Sequence, residues 1–161
     1  MGYSKYDFGG QTIFGATEHS AAELAALIPS AANIAVSPTP FLDRYQPEAI
    51  ARADVWRNAK ETGGFSYNGK TFQSDPASAA RIVAAKLAAD LAEAAAPGTY
   101  TVTWQAADNS DTVLDYEGIK GLFVALAAHN ASVFAAAKAA KSAIRAATTS
   151  AQIDAALAAL T

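Results

Sequence analysis

The stretch GGFSYNGKTFQSDP, Gly63 to Pro76, constrains the fold more than any other part of the chain. Gly63 and Gly64 stop a helix in the manner of a left-handed C-terminal cap. Asn68-Gly69, flanked by Phe65, Tyr67 and Phe72, is the strongest short-range hairpin signal, because both turn residues tolerate positive φ. Ser74-Asp75-Pro76 then opens another helix. A capping oxygen comes from Ser74 or Asp75, and proline stands at or near the first helical position. The expected strands are Gly64 to Tyr67 and Lys70 to Gln73, with Phe65 and Tyr67 on one face and Ser66 on the other.

Around this corner the chain reads as helix. Pro47 suits a first turn, so one helix is expected from there to Gly63, with Val55 and Trp56 on its apolar side. The helix after Pro76 is expected to reach about Ala95, its stripe made by Ile82, Val83, Leu87 and Leu91. Tyr100, Val102 and Trp104 alternate with threonines as a strand. Asp108-Asn109-Ser110 turns it back to Thr112–Leu114. Asp115 caps a helix from about Tyr116 to His129 carrying Ile119, Leu122, Phe123 and Leu126. The C-terminal third is helical too, with Val133, Phe134, Ala137 and Ile144 on one side, and Ser150 caps a last short helix.

Residues 1–45 differ. MGYSKYDFGGQTIFGATEHS has no helical period and offers one short strand near Gln11 to Phe14. Ser20 and Glu23 make a capping box for a brief helix to Leu27. Pro29, Pro38 and Pro40 then favour extended chain. Such a segment is a linker in an isolated protein and an arm lying on a neighbour in an assembly. The expected class is therefore α+β: a mostly helical domain with two short β-hairpins over 46–161, preceded by an extended Gly/Pro-rich N-terminal arm over 1–45.

Composition limits what this fold can do. About a quarter of the 161 residues are alanine, so the bulky core is modest and association with other subunits is a natural source of further burial. The net charge is −3 and no segment concentrates positive charge, which argues against a phosphate-neutralising nucleic-acid surface. There is no cysteine, hence no disulfide or thiolate metal site. No unbroken apolar run approaches the ~20 residues that span a bilayer, so no membrane insertion is expected.

Candidates for chemistry are few. His19 and His129 have no metal-ligand spacing. Asp108, Ser110 and Thr112 alternate as in a calcium loop, but the glycine and the glutamate of that loop are missing. Glu18, Asp43, Glu48, Asp54 and Glu61 have no enclosing apolar motif that would raise a pKa for glycoside hydrolysis. No nucleophile elbow or phosphate loop occurs. Lys138, Lys141 and Arg145 read as a solvated basic face. The aromatics Trp56, Phe65, Tyr67, Phe72 and Trp104 fit a core between the hairpins and helices better than an exposed stacking platform. No catalytic residue, cofactor or metal is expected.

Trp56-Arg57, Gly63-Gly64-Phe65, Tyr67-Asn68-Gly69, Phe72 to Asp75, Trp104, Asp108-Asn109 and Lys141 to Ala147 occur in an order that resembles an uncharacterised domain family of tailed bacteriophages and prophages. Its members sit at the C-terminus of small proteins encoded beside tail-fibre genes. The resemblance covers about residues 47–160 and brings no catalytic residues. It implies a non-enzymatic structural component of a phage tail, near the tip, baseplate or fibres, made in the host cytoplasm and present as a homo-oligomer or in multiple copies. The N-terminal arm then docks on a neighbouring tail protein, with Tyr3, Tyr6, Phe8, Ile13 and Phe14 as its anchors. The alternatives are a tail-fibre assembly chaperone absent from the virion, and a carbohydrate-binding receptor module.

Overall fold

The computed structural model describes residues 2–8, 11–17, 20–37 and 40–160; the side chains of 2–5, 12, 14–17, 35–37, 40, 41 and 43 fall outside the description. In chain order the elements are β1 (Gly2–Phe8), β2 (Gln11–Thr17), α1 (Ala21–Leu27), β3 (Ala32–Ser37), α2 (Pro40–Thr62), β4 (Phe65–Tyr67), β5 (Lys70–Phe72), α3 (Pro76–Ala95), β6 (Thr101–Gln105), β7 (Asp111–Asp115), α4 (Tyr116–Ala146) and α5 (Ser150–Ala158). The class is α+β. The chain divides into two compact units, residues 1–52 with 140–159 and residues 53–139. The division falls inside α2.

In the first unit the N-terminal segment is extended, but its strands pair with one another. They form an antiparallel sheet in the order β2-β1-β3, with Tyr6 opposite Ile13 and Phe8 opposite Gln11. One short strand was expected here and three are present. α1 starts as the sequence requires: Ser20 Oγ accepts from Glu23 N at 3.3 Å, while Glu23 Oε2 accepts from Ser20 N at 2.6 Å.

α2 corrects the expected start at Pro47, because the helix begins at Pro40 and carries Pro47 in its interior. Proline there removes one backbone donor, yet tertiary ties hold both sides of the site. Tyr45 Oη donates to Asp154 of α5. Gln46 Nε2 donates to Ala147 O at 3.0 Å, and Ala49 is fully buried. The face also differs from the reading: Ala49 and Ala53 are buried whereas Val55 is 69 % exposed. The last helix is capped by Thr149, not Ser150, through a capping box with Gln152.

The second unit is built on the opening motif. Asn68 and Gly69 have φ of 47° and 76°, and the hairpin pairs Phe65 with Phe72. The β6–β7 hairpin pairs Trp104 with Thr112 and turns through Asn109 at φ 64°. The two hairpins are joined where Ala107 N donates to Thr71 O at 2.9 Å. Lys70 Nζ adds hydrogen bonds to Ser110 Oγ at 3.1 Å and Thr112 Oγ1 at 2.8 Å. Their shared core holds Phe65, Phe72, Ile82, Ala89, Ala106, Leu114, Ile119, Leu122 and Leu126.

Two helices here depart from the sequence reading. α4 is one continuous helix of 31 residues, without a break at Asn130, since neither glycine nor proline interrupts it there. Its length and composition suffice to cross a bilayer, with a mean hydropathy of 1.4 in the most apolar window, which the short unbroken runs did not indicate. Ile119, Leu122 and Leu126 of that helix are buried in the core; of the residues expected to share one side further on, Val133, Ala137 and Ile144 are buried whereas Phe134 is 55 % exposed. On α3 the buried residues are Ser78, Ile82 and Ala89, so of the expected stripe Ile82 faces the core. Val83, Leu87 and Leu91, expected in the core, lie outside.

Candidate functional site

The residues singled out between Trp56 and Asn109 all lie in the second unit, where most are structural. Gly63 follows α2, and a Cβ there would stand 2.8 Å from Ala59 O. Gly64 has φ +95°, and its N–H donates to the buried Ser74 Oγ at 2.8 Å, tying the helix end to the start of the next. Phe65 and Phe72 pack with ring centroids 6.1 Å apart. Asp75 caps α3, its Oδ1 accepting from Ala77 N at 3.0 Å and Ser78 N at 3.1 Å. Asp108 Oδ1 accepts from Ser110 N at 2.9 Å and shapes the second turn. Trp56 is half-buried; its Nε1 is enclosed without a hydrogen-bond partner among the described residues, and Lys60 Nζ lies 6.0 Å from its ring centroid.

Where α3 begins beside β6, one cleft opens. Gln73, Ser78, Arg81, Thr103, Trp104 and Gln105 line a volume of about 230 Å³. Each side chain has a local reason to be there. Gln73 follows β5 immediately, and its Oε1 accepts weakly from Ser78 Oγ at 3.4 Å. Ser78 and Arg81 come from the first turns of α3, fixed by the Asp75 cap. Trp104 is half-buried in β6, with exposed Thr103 and Gln105 on either side. Arg81 makes no ion pair among the described residues. The cleft thus offers one indole, one guanidinium, two primary amides and two hydroxyls.

Those groups hydrogen-bond and stack; they do not move protons near neutral pH. The hydroxyl and N–H of Ser78, helped by Arg81, hold the Asp75 carboxyl below its ordinary range. Ser110 and the Lys70 charge do the same to Asp108. Tyr45 is raised by its hydrogen bond to Asp154, and Lys86 by Asp90. Each shift moves the group away from neutrality, opposite to what general acid–base work requires. His129 Nε2 lies 2.9 Å from Lys60 O, and its ring stacks obliquely near Phe65. Among the described residues no group of acidic or imidazole side chains is placed to hold a metal ion.

Residues 44–157 match the Domain of unknown function (DUF4376). The chain belongs to that family. The chain matches none of the curated proteins and none of the solved structures. The DUF4376 region begins within α2 and ends within α5, so it includes both hairpins and the cleft. The N-terminal sheet precedes it.

Of the five proposed anchors, Tyr6 and Ile13 are cross-strand partners on one face of that sheet and both are half-buried. Phe8, two residues from Tyr6, is 45 % exposed. Tyr3 and Phe14 stand opposite Ala16 and Lys5 in the register, and their side chains lie outside the described residues. Sequence reading did not single out Ser78, Arg81, Thr103 or Gln105, and it met Gln73 only as part of the second strand and of the Phe72 to Asp75 motif. The only signal was the strand alternation around Trp104, and alternation does not say what borders a strand.

Proposed function

We propose that the protein is a non-enzymatic structural component of a phage or phage-like tail, near the tip, baseplate or fibres. In this reading it is attached through its N-terminal segment and present in multiple copies. The observation that carries the attachment is the N-terminal sheet, in which β1 is central and β2 and β3 are each paired on one side only among the described residues. A strand edge of this kind accepts a neighbouring strand by main-chain hydrogen bonds, with side chains such as Phe8 supplying specificity. The motif order around Gly63–Asp75 supports the tail reading. The test is incorporation of full-length protein carrying Phe8→Asp into particles. Reduced incorporation with an unchanged circular dichroism spectrum supports docking through this face, and incorporation at the wild-type level refutes it. Mass spectrometry of purified particles separates a virion component from an assembly chaperone, which would be absent.

The cleft favours a second reading, a carbohydrate-binding module. An indole beside amides, hydroxyls and an arginine suits a polar ring, and a volume of about 230 Å³ limits the occupant to roughly one sugar unit, below the ~300–1,000 Å³ of most ligand sites. A glycan array comparing the wild type with Trp104→Ala and Arg81→Ala tests it; equal signals from all three would rule it out.

A further inference from the structure

α3 is apolar on two opposite sides. One side, with Ile82 and Ala89, faces its own core, and helices that are apolar all round are normally buried all round. The other side is open: Val83 is 51 %, Leu87 59 % and Leu91 68 % exposed, and Ala77, Ala80, Ala84, Ala88, Ala94 and Ala95 are exposed with them. Along this side Ala77, Ala80, Ala84, Leu87, Leu91 and Ala94 recur at alternating steps of three and four residues, the spacing of a two-helix seam. The helix has 20 residues, so the seam runs for about 30 Å.

We propose that this face binds the same face of a second copy of the chain, with the two α3 helices antiparallel and related by a two-fold axis at the helix midpoint. The distribution of bulk selects that partner and that direction. Small residues occupy the N-terminal half of the seam and leucines the C-terminal half. Antiparallel pairing about the midpoint sets Leu87 on the partner's Ala84 and Leu91 on the partner's Ala80, with Ala77 on the partner's Ala94. Every leucine meets an alanine, which lets the axes approach evenly at the short end of the usual ~8–10 Å. Parallel pairing would set leucine on leucine at one end and alanine on alanine at the other, forcing the helices apart where they are bulky and leaving a gap where they are small.

Charge permits the antiparallel arrangement. The charged residues bordering the seam are Arg81 on one edge and Asp90 on the other. In an antiparallel pair each edge meets its own counterpart, so Arg81 falls opposite the partner's Ala88 and Asp90 opposite the partner's Val83. No like charges meet, and Lys86 keeps its ion pair with Asp90 of the same helix. A single-helix seam buries less than the ~800 Å² per partner of a standard interface, so the pair forms reversibly with concentration. The inference does not depend on the tail reading; a protein of any function with this helix would pair in the same way.

Sedimentation velocity of the full chain over a wide concentration range, together with cysteine cross-linking, tests the proposal. Because the chain has no cysteine, introduced thiols report only on the seam. A mixture of Ala80→Cys and Leu91→Cys chains should give the mixed disulfide dimer under mild oxidation. Ala80→Cys alone should not, since its two copies would stand about 16 Å apart, beyond disulfide reach. Leu87→Lys with Leu91→Lys should keep the circular dichroism spectrum and weaken association at least tenfold. Three results would each overturn the proposal: a chain that stays monomeric at every concentration, efficient cross-linking by Ala80→Cys alone, or association unaffected by the lysines. The first would leave the face to a different protein, and the second would make the pair parallel.

Discussion

Gly121 lies within α4, and helix propensity alone would favour alanine there by roughly 0.8–1 kcal/mol. The opening hairpin forbids it. A Cβ at residue 121 would stand 2.9 Å from Tyr67 Cζ and 3.0 Å from Cε2, with the hydroxyl oxygen nearer still. Tyr67 is not free to leave without loss, because it packs on the core and its ring lies 6.3 Å from that of Phe72. Overpacking of this kind costs about 1–3 kcal/mol. Set against the propensity gain, Gly121→Ala should destabilise the wild type by about 1 kcal/mol, and by up to about 2 if the ring cannot pivot. In a Tyr67→Ala background the obstacle is gone and the same substitution should stabilise by up to about 1 kcal/mol. The effect therefore changes sign, with a coupling between the two sites of about 1–3 kcal/mol. Urea denaturation of the four proteins, compared at a common m value, measures it. If Gly121→Ala is stabilising in both backgrounds, or equally harmful in both, the glycine is not there to seat the tyrosine.

Phe72 is 1 % exposed at the centre of the hairpin core, so Phe72→Ala should cost roughly 3–5 kcal/mol, read as a lower urea midpoint. Gly64→Ala imposes a side chain at φ +95° and places its Cβ 2.9 Å from Phe72 O; a loss of roughly 1–3 kcal/mol is expected by the same measurement, and an unchanged midpoint would contradict it. Lys70→Met removes the ammonium that ties the two hairpins together and should cost roughly 1–2 kcal/mol; hydrogen exchange at Ala107, whose N–H bridges to Thr71 O, should quicken as well. Asp75 and Asp108 have folded pKa values below the ordinary 3.8, so their contribution to stability is complete above that value and is lost as pH falls through the depressed folded values. Asp75→Asn keeps a capping oxygen and should flatten the acid side of the stability profile, whereas an unaltered profile would show that the cap charge contributes nothing.

What the sequence disclosed and what it withheld separate along a physical line. Turns and caps were legible because they are local. Asn68-Gly69 needs only its own two φ angles, Asp75 needs only the N–H groups just beyond it, and the Ser20–Glu23 box closes on itself. Helix faces were not legible, because a face is defined by what packs against it. The Ile82, Val83, Leu87 and Leu91 stripe is a sound amphipathic pattern, yet the hairpins take the side with Ser78, Ile82 and Ala89. Ile82 and Ala89 share a core there with Phe65, Phe72 and Leu114, and Trp104 packs against it. Pro47 misled for a related reason: ties from Tyr45 and Gln46 outweigh one missing backbone bond. The cleft was invisible because Gln73, Arg81 and Gln105 come from three separate elements and are individually ordinary.

The same reasoning gives the alanine content of α3 a physical role. On the inner side Ala89 is buried in the core, with Ala79 and Ala85 packed against it. Alanine alternating with leucine on the outer side makes a surface that fits itself only when one copy is reversed. A helix with both properties stabilises the fold incompletely as a monomer, since Leu87 and Leu91 keep most of their surface in water until another surface covers them. Folding and pairing then become linked by mass action, and the apparent stability of the chain must rise with its concentration. Lysines at those two positions should remove that concentration dependence while leaving the dilute-solution stability nearly unchanged, because in the isolated chain the replaced side chains already face water.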